Sequence, residues 1–295
     1  TPHLTALQDE GVWFENMYAS SFRTDRGNVA IFSGFPGQPT MSIMKLAKRA
    51  SKLPGIAAAL NNVGYSTRFF YGGDSNFTNT RAYLYSTGYE RALADSDFSV
   101  AERTTHQWGA NDDITFNRLY DLIMEQGNEP WHITFLTLSS HEPWTVPYNR
   151  INDDKIANAF AFTDEELGKF IDRFKKSDKW DNTLIVCISD HSVVGYPKGI
   201  TQSDINRNHI PLLMLGGAIK EPKNLRVPIG TNIQDIIDFC GGFKSEPGKI
   251  IFGGPMMGLA ICGTDAPICK QNNAILAFSK DDAVLKNETV ETCLL

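Results

Sequence analysis

The sequence predicts an α/β protein with a mostly parallel central sheet flanked by helices, and a small C-terminal α+β portion. Apolar runs typical of strands alternate along the chain with segments of helical spacing, which is the pattern of βαβ units. Three predicted strands stop at polar clusters, Gly72-Gly73-Asp74, Ser139-Ser140-His141 and Asp190-His191. In a parallel sheet such strand ends face one crevice, where α/β proteins place their active sites.

Local patterns predict the elements in chain order. A helix follows Thr24 through Phe32, and the apolar run that begins at Leu184 reads as a buried parallel strand ending at Asp190-His191. The predicted helix 153–176 connects the predicted strand 131–138 with the strand that begins at Leu184, which gives a βαβ unit. The other predicted strands are 12–19, 66–71, 131–138 and 210–215, and the other predicted helices are 55–61, 76–86, 153–176 and 232–239, the last closed by Gly241-Gly242.

The chain has 295 residues, 42% of them hydrophobic, and no internal repeat. We expect one domain over 1–295, with 243–295 as an appendage of the same domain. The net charge is −6, and Lys and Arg are scattered among the acids, which argues against a nucleic-acid partner. No apolar run reaches the roughly 18 to 20 residues of a membrane span.

The five cysteines show neither Cys-x-x-Cys nor zinc-finger spacing. Cys187 lies within an apolar strand and is expected to be a small core residue. Cys262 and Cys269 flank a turn and could form a short-loop disulfide in an oxidising compartment. The odd count leaves at least one thiol unpaired.

The segment from Ser21 to Gly27 places the Thr24 hydroxyl between Arg23 and Arg26, at the start of a predicted helix. A helix N-terminus favours an alkoxide or a bound anion. Taken alone, Thr24 could equally be an ordinary N-cap. Asp190-His191 could likewise be a capping carboxylate beside a surface imidazole.

The joint order of several motifs resembles the lipoteichoic acid synthase and phosphoglycerol transferase branch of the sulfatase-like, alkaline phosphatase superfamily. The resemblance runs from Thr1 to about Gly242, and the residues after Gly242 match no motif of the family. The motifs are Ser-Phe-Arg-Thr-Asp-Arg-Gly (21–27), Ser-Gly-Phe-Pro (33–36) with Gln38-Pro39, Phe-Tyr-Gly-Gly-Asp (70–74) with Phe77, Trp108-Gly109, Ser-His-Glu-Pro (140–143) and Ser-Asp-His (189–191).

The resemblance implies a role for each matching residue. Thr24 would be the nucleophile and a metal ligand, and Asp190 and His191 would be two further ligands of one divalent ion, Mn with Zn or Mg as alternatives. His141 would bind the phosphoryl oxygens or assist the leaving group. Three further residues would bind substrate: Arg26, His106 and Trp108. Without the resemblance, His141 is a turn residue, Trp108 a packed loop aromatic, His106 a hydrogen-bonded structural histidine and Arg26 a solvated cation.

Two departures from the family pattern are visible. The family has a further Glu ligand on an N-terminal strand that precedes a Thr-Pro-x-Leu segment, and this chain begins with that segment at Thr1. We therefore expect the strand and its ligand to be missing here, with weak metal binding and an inactive fragment as the consequence. In addition, Ala110 stands where related synthases can carry a basic residue.

The predicted activity is a metal-dependent phosphoglycerol transfer from a phospholipid headgroup, through a phosphothreonine, to a glycan or polymer hydroxyl. The resemblance places the domain on the periplasmic or extracellular side of the cell inner membrane, with membrane helices upstream of Thr1. A phosphoethanolamine transferase or a phosphodiesterase would use the same residues. A sulfatase fits less well, because no Cys/Ser-x-Pro-x-Arg segment is present. A non-catalytic glycan-binding or lipid-binding relative is the alternative from another class.

Overall fold

The computed structural model describes residues 1–279 apart from 194, 197, 198, 202, 203, 218, 222, 254–257, 271 and 273. The chain divides into two compact units. The first consists of Thr1–Ala6, Phe14–Ser177 and Ile188–Leu212, and the second consists of Leu7–Trp13, Asp178–Cys187 and Leu213–Leu295. The single domain over 1–295 and its appendage over 243–295 stay predictions.

Helices and strands are numbered here in chain order. The helices in the described part of the chain are α1 (Pro2–Ala6), α2 (Thr24–Ser33), α3 (Ala47–Ala50), α4 (Ile56–Asn62), α5 (Thr80–Ser86), α6 (Val100–Arg103), α7 (Asp112–Met124), α8 (Lys155–Phe174) and α9 (Ile233–Phe239). The strands there are β1 (Val12–Trp13), β2 (Ser66–Tyr71), β3 (Arg91–Leu93), β4 (Trp131–Leu136), β5 (Leu184–Ile188), β6 (Leu212–Gly216), β7 (Pro247–Phe252), β8 (Leu259–Ile261) and β9 (Ile275–Ser279).

The first unit contains a parallel sheet of order β3-β2-β4. In the β2–β4 register, Ser66 pairs with Trp131 and Tyr71 pairs with Leu136. The carboxyl ends of β2 and β4 therefore lie side by side, as the sequence predicts. The loops that follow these two strands emerge at the same edge of the sheet.

Helices cover both faces of this sheet, because successive strand residues point to opposite sides. On one face, Phe69 is fully buried and makes edge-on ring contacts with Phe32 (6.2 Å between centroids) and Tyr89 (6.0 Å). On the other face, Phe70 stacks on Phe135 at 5.4 Å, and Phe135 contacts Phe116 of α7 at 5.0 Å. The predicted α/β class is confirmed.

The second unit contains the sheet β1-β6-β5, apart from the single end residues of β5 and β6, and the antiparallel sheet β8-β7-β9. Residues Ile233 and Ile237 of α9 are buried and form a hydrophobic cluster with Ile268. A second cluster contains Ile250 and Ala277. Residues 243–295, the predicted C-terminal α+β portion, contribute β7, β8 and β9 to this unit.

Three sequence predictions about elements are wrong in detail. The strand expected over 12–19 stops at Trp13, because the polar residues Glu15 and Asn16 form a turn. Strand β5 is only partly buried, with Leu184 39% and Val186 46% exposed, since it lies at the end of its sheet. The βαβ unit through α8 is also wrong, because β4 and β5 belong to different sheets within the described residues.

The thiols of Cys262 and Cys269 are both free and exposed, so the predicted short-loop disulfide is absent. Cys187 is partly buried, and burial raises the pKa of its thiol to about 11. Cys293 lies outside the described residues. Within those residues, no helix has the length and apolar character needed to cross a bilayer.

Candidate active site

Thr24 is the first residue of α2, and Arg23 occupies the N-cap position with an extended backbone and no side-chain cap. The interpretation of Thr24 as an N-cap is therefore wrong. Its Oγ1 lies 3.2 Å from Nε2 of His191 instead. The N-terminal position on the helix gives this hydroxyl the positive end of the helix dipole.

The protonation of His191 follows from its other ring nitrogen. Nδ1 lies 2.8 Å from the carbonyl oxygen of Ser192, which can only accept, so Nδ1 carries the hydrogen. In the neutral ring Nε2 is then an unprotonated acceptor that faces the Thr24 hydroxyl. Oδ2 of Asp190 lies 3.6 Å from the same Nε2, and Oδ1 accepts the backbone N–H of His191 at 2.9 Å.

The structure thus brings together the three predicted metal ligands, Thr24, Asp190 and His191. Their donor atoms are a hydroxyl oxygen, a carboxylate oxygen and an unprotonated imidazole nitrogen, a set that fits Mn or Zn. No group of three His, Cys, Asp or Glu side chains in the described part of the chain is arranged to hold a metal. In a site with Asp190 and His191, the Thr24 hydroxyl would be the third donor.

Gly27 allows α2 to approach the Asp190 backbone, and sequence reasoning did not identify its role. A Cβ at this position would come within 2.3 Å of the Asp190 carbonyl oxygen. Any larger side chain would force the first turn of α2 away from Asp190 and His191. The requirement for glycine at position 27 comes from a tertiary contact with Asp190, and a local sequence pattern does not reveal such a contact.

Three buried polar atoms close to Thr24 in the chain have no hydrogen-bond partner among the described residues: Ser21 Oγ, Asp25 Oδ1 and Arg26 Nε. Unsatisfied buried groups are uncommon in proteins and often mark functional sites. Arg26 is 7% exposed, donates from Nη1 to the Pro39 carbonyl at 3.0 Å and lies over the Phe22 ring. The structure gives Arg26 no contact with Thr24, so its substrate-binding role stays a prediction.

His141, Trp108 and His106 form a second cluster. The rings of Trp108 and His141 meet edge to face at 6.0 Å, and Trp108 also contacts Phe77 at 5.8 Å. Trp108 and Phe77 are 43% and 57% exposed, so a ligand can reach both rings. Nδ1 of His141 lies 2.7 Å from the Glu142 carbonyl and carries the hydrogen, which leaves Nε2 free in the neutral ring.

His106 is buried and accepts the backbone N–H of Trp108 on Nδ1 at 3.2 Å. Its Nε2 therefore carries the ring hydrogen, and this nitrogen has no hydrogen-bond partner in the described part of the chain. Burial, and secondarily the charge of His141, lower the pKa of His106. The three residues lie together, but no contact connects them directly with Thr24.

Tyr71 is the last residue of β2, and its ring contacts Phe69 at 6.5 Å. Burial raises the pKa of Tyr71, and the negative charge of Asp190 raises it further. A Cβ at Gly73 would come within 2.7 Å of the Tyr71 ring and 2.8 Å of the Trp108 carbonyl oxygen. The sequence analysis identified the Gly72-Gly73-Asp74 loop but not the buried Tyr71 that precedes it.

Asp112 holds the loop that carries His141. The carboxylate accepts the Leu138 N–H at 2.8 Å and the Thr163 hydroxyl at 2.6 Å, and the Asp112 N–H donates to Ser139 Oγ at 2.8 Å. The Leu138 carbonyl in turn accepts the His141 N–H at 3.1 Å. The side chain is fully buried, and burial raises the pKa of Asp112.

Comparison with known proteins places this site in a family. The sulfatase family model matches residues 1–237, close to the range of the resemblance predicted from motif order. Phosphoglycerol transferase I of Xanthomonas euvesicatoria is 24% identical over 303 residues, which covers 95% of this chain and 41% of that protein. The chain therefore spans less than half the length of this relative.

Two solved structures share the fold. A protein of the alkaline phosphatase superfamily from Vibrio parahaemolyticus superposes with a TM-score of 0.68 and 28% identity, covering 84% of this chain and 62% of that one. A lipoteichoic acid synthase from Listeria monocytogenes superposes with a TM-score of 0.67 and 18% identity, covering 75% and 60%. The predicted resemblance to this superfamily is confirmed.

A different relative matches a shorter part of the chain. One component of the proton-translocating ferredoxin:NAD(+) oxidoreductase complex of Clostridium ljungdahlii is 54% identical over 88 residues. The match covers 28% of this chain and 19% of that protein. Part of the chain therefore resembles a protein outside the sulfatase family, which the sequence motifs did not predict.

Proposed function

Since the chain belongs to the sulfatase family, an enzyme family of phosphotransferases and hydrolases, we propose that it carries the catalytic centre of a phosphoglycerol transferase. The observation that carries this proposal is the contact between Thr24 Oγ1 and His191 Nε2, with Asp190 beside them. The phosphoglycerol transferase relative supports the donor class. The preferred donor is a phospholipid with a phosphoglycerol headgroup, and the acceptor is a glycan or polymer hydroxyl.

Thr24 forms the new bond to phosphorus while the bond between phosphorus and the diacylglycerol oxygen breaks. His141, protonated on both ring nitrogens, gives its Nε2 proton to that oxygen, the hydroxyl proton of Thr24 passes to solvent, and Thr24 is left carrying the glycerophosphoryl group as a phosphodiester. An acceptor hydroxyl then gives its proton to the neutral His141 and attacks the phosphorus, while Thr24 leaves and regains a proton from solvent, so that the phosphoglycerol is transferred. Arg26, His106 and Trp108 contact the headgroup, with the Trp108 face packed on its glycerol carbons.

Thr24, Asp190 and His191 would hold one divalent cation, Mn with Zn or Mg as alternatives. Such an ion, when bound, makes a threonine hydroxyl a competent nucleophile at neutral pH and offsets negative charge on the phosphoryl oxygens. The unprotonated Nε2 of His191 and the carboxylate of Asp190 support this assignment. We place the domain on the outer side of the inner membrane, where the donor lipid is available.

The test measures manganese-dependent release of diacylglycerol from phosphatidylglycerol, using the chain extended by its native upstream sequence. Thr24→Ala should lower kcat by at least about 10³-fold, because the covalent route is lost. Thr24→Ser keeps the hydroxyl and should retain much more activity. Mass spectrometry of the quenched wild-type enzyme should show phosphoglycerol on the peptide that contains Thr24.

Metal binding is measured separately by calorimetry, so that the ligand assignment has a readout besides turnover. Asp190→Asn should weaken Mn²⁺ binding without changing the folded state seen by circular dichroism. Undiminished turnover by Thr24→Ala would remove Thr24 as the nucleophile. Turnover with phosphatidylethanolamine but not phosphatidylglycerol would instead favour the phosphoethanolamine transferase.

A second function is favoured by the match to the oxidoreductase component. We propose that Leu213–Leu295, which extends beyond the end of the sulfatase family match at residue 237, contains the part that resembles this component. This segment contains its own hydrophobic clusters around Ile237 and Ile250. It would serve in assembly with a partner protein and would not take part in phosphoryl transfer.

A further inference from the structure

The segment between Arg26 and Asp74 contains no Asp or Glu, although the protein has 34 acidic residues and a net charge of −6. Five Lys or Arg lie within this stretch, and four of them fall within eight residues: Lys45, Lys48, Arg49 and Lys52. These four residues are called the basic patch. The net charge of the whole chain does not indicate the basic patch, because the acidic residues lie elsewhere in the chain.

All four side chains of the basic patch are exposed, and they lie on and beside the short helix α3. Lys48 and Arg49 lie on α3, Lys45 ends the short 3-10 helix Ile43–Lys45 before it, and Lys52 follows α3, so one short surface segment carries all four cations. Within the described residues none of them forms an ion pair, whereas Lys169, Lys223 and Lys244 do. The patch is therefore an uncompensated concentration of positive charge on an acidic protein.

Apolar side chains border the basic patch. Met41 is 41% exposed just before it in the chain, and Tyr85 is 45% exposed on α5, which packs against α3. An open groove of about 310 Å³ lies between α3 and α5, lined by Lys48 together with Ser51 and Ser86. Cations beside exposed apolar side chains are the composition of a surface that binds anionic lipid headgroups.

We propose that the basic patch docks this unit onto an anionic phospholipid surface, with phospholipid headgroups between Lys45, Lys48, Arg49 and Lys52. The occupant follows from charge complementarity and from the bordering apolar side chains. The inference rests on the proposed function in one respect, since a donor in the bilayer requires the enzyme to approach it. None of the four patch residues is among Thr24, Asp190 and His191, so docking and chemistry can be measured with different variants.

The experiment measures co-sedimentation of the whole chain with vesicles of phosphatidylcholine containing about 30% phosphatidylglycerol, at about 0.1 M and about 0.5 M salt. The wild type should bind these vesicles at low salt, bind less at high salt, and not bind phosphatidylcholine alone. Replacement of all four patch residues by Gln should weaken binding by at least about 30-fold. The Thr24-dependent cleavage of a water-soluble glycerophosphodiester should not change.

Two control variants show whether binding depends on the position of the positive charge and on the charge itself. In the first control, four exposed cations elsewhere in the same unit are replaced by Gln: Arg103, Arg118, Lys155 and Lys176. This variant loses the same amount of positive charge as the patch variant and should bind vesicles within about twofold of wild type. Exchange of Lys45, Lys48 and Lys52 for Arg keeps the charge and should keep binding. Thermal unfolding of every variant identifies any that fails to fold.

Equal binding by the wild type and the Gln patch variant would overturn the proposal. Patch-dependent binding to polyglycerol phosphate or DNA, without binding to vesicles, would also overturn it in favour of a polyanion site. Patch-dependent vesicle binding without any Thr24-dependent turnover would support docking and would reject only the proposed function. The two failures are therefore distinguishable.

Discussion

Gly27 sets the distance between helix α2 and the backbone of Asp190. The contact matters because the Thr24 hydroxyl and the His191 ring lie on opposite sides of it, only 3.2 Å apart. A shift of a few tenths of an ångström at Gly27 would change the distance between the Thr24 hydroxyl and the His191 ring. The residue is thus as important to the site as the side chains that perform chemistry.

Gly27→Ala should lower kcat by about 10²-fold, because its methyl group displaces Asp190 and His191 from Thr24. The same overlap should destabilise the fold by about 1 to 3 kcal/mol. Steady-state kinetics and thermal unfolding check both effects. Gly127→Ala is the control, since a Cβ there meets nothing within 4 Å. Normal kinetics in Gly27→Ala would show that the helix can shift without consequence.

His132 on β4 gives a pH-dependent contribution to stability. Burial lowers the pKa of its imidazole to about 4, from an ordinary value of 6.5. The unfolded chain therefore binds a proton more readily than the folded one, so stability falls as pH decreases from 6.5 to 4. The contribution is up to about 3 kcal/mol over that window.

The measurement is the melting temperature of wild type and His132→Gln between these two pH values. The Gln side chain can still bond Thr134, which His132 contacts at 2.9 Å, but it does not titrate. The difference between the two proteins should shift in favour of the variant as pH falls. A difference that is constant with pH would contradict the assignment.

At the scale of elements, the start of α7 connects the end of β4 with α8. Asp112 receives hydrogen bonds from Leu138 and Thr163, and no other residue in the described part of the chain makes this connection with a buried carboxylate. Because the Leu138 carbonyl accepts the His141 N–H, the helix start determines where the His141 loop lies. Asp112 is therefore a positioning residue for that loop.

Asp112→Ala should destabilise the fold by about 2 to 4 kcal/mol, because the Leu138 N–H and the Thr163 hydroxyl lose their buried acceptor. Loss of the loop position should lower kcat more than it changes KM. Asp172→Ala, an exposed carboxylate on α8, is the control. A variant that loses stability while keeping full kcat would show that Asp112 does not position His141.

The sequence predicts an element well when residues within that element determine its limits. It predicts an element poorly when contacts with distant residues determine them. Strand β2 occupies the predicted range 66–71, because its apolar run and the following Gly72-Gly73 are local signals. Strand β3 was missed, since three residues contain too little periodicity. Strand β4 ends at Leu136 and not at Leu138, because the Leu138 N–H bonds Asp112, a partner 26 residues away.

The same distinction between local signals and long-range contacts applies to the candidate active site. Thr24, Asp190 and His191 were predicted together, because motif order identifies them and the structure brings their donor atoms into contact. Gly27, Tyr71 and Asp112 were not predicted, because each acts through a residue distant in sequence. The structure groups His106 and Trp108 with His141, and their roles stay predictions.

At the scale of the whole molecule, the chain contains two compact units with separate hydrophobic clusters. The predicted catalytic residues all belong to the first unit. The proposed assembly function belongs to the segment that begins at Leu213. The cluster around Ile237 consists of residues of the second unit alone, so a cavity there weakens that unit first.

Ile237→Ala, which opens a cavity in the second unit, should destabilise that unit by about 2 to 4 kcal/mol. Amide hydrogen exchange should increase in α9 and β7 while kcat for a soluble phosphodiester stays at the wild-type value. The matched change Leu84→Ala in the first unit should lower kcat together with stability. A parallel loss of kcat in Ile237→Ala would contradict the separation of the two functions.

The exposed edge of strand β5 affects how the purified protein behaves at high concentration. Within the described residues it has a neighbouring strand only on the β6 side, and it exposes Leu184 and Val186. A free, apolar strand edge recruits further strands from other molecules. Concentrated samples should therefore self-associate over time, and a charged residue at Val186 should keep them monodisperse in light scattering.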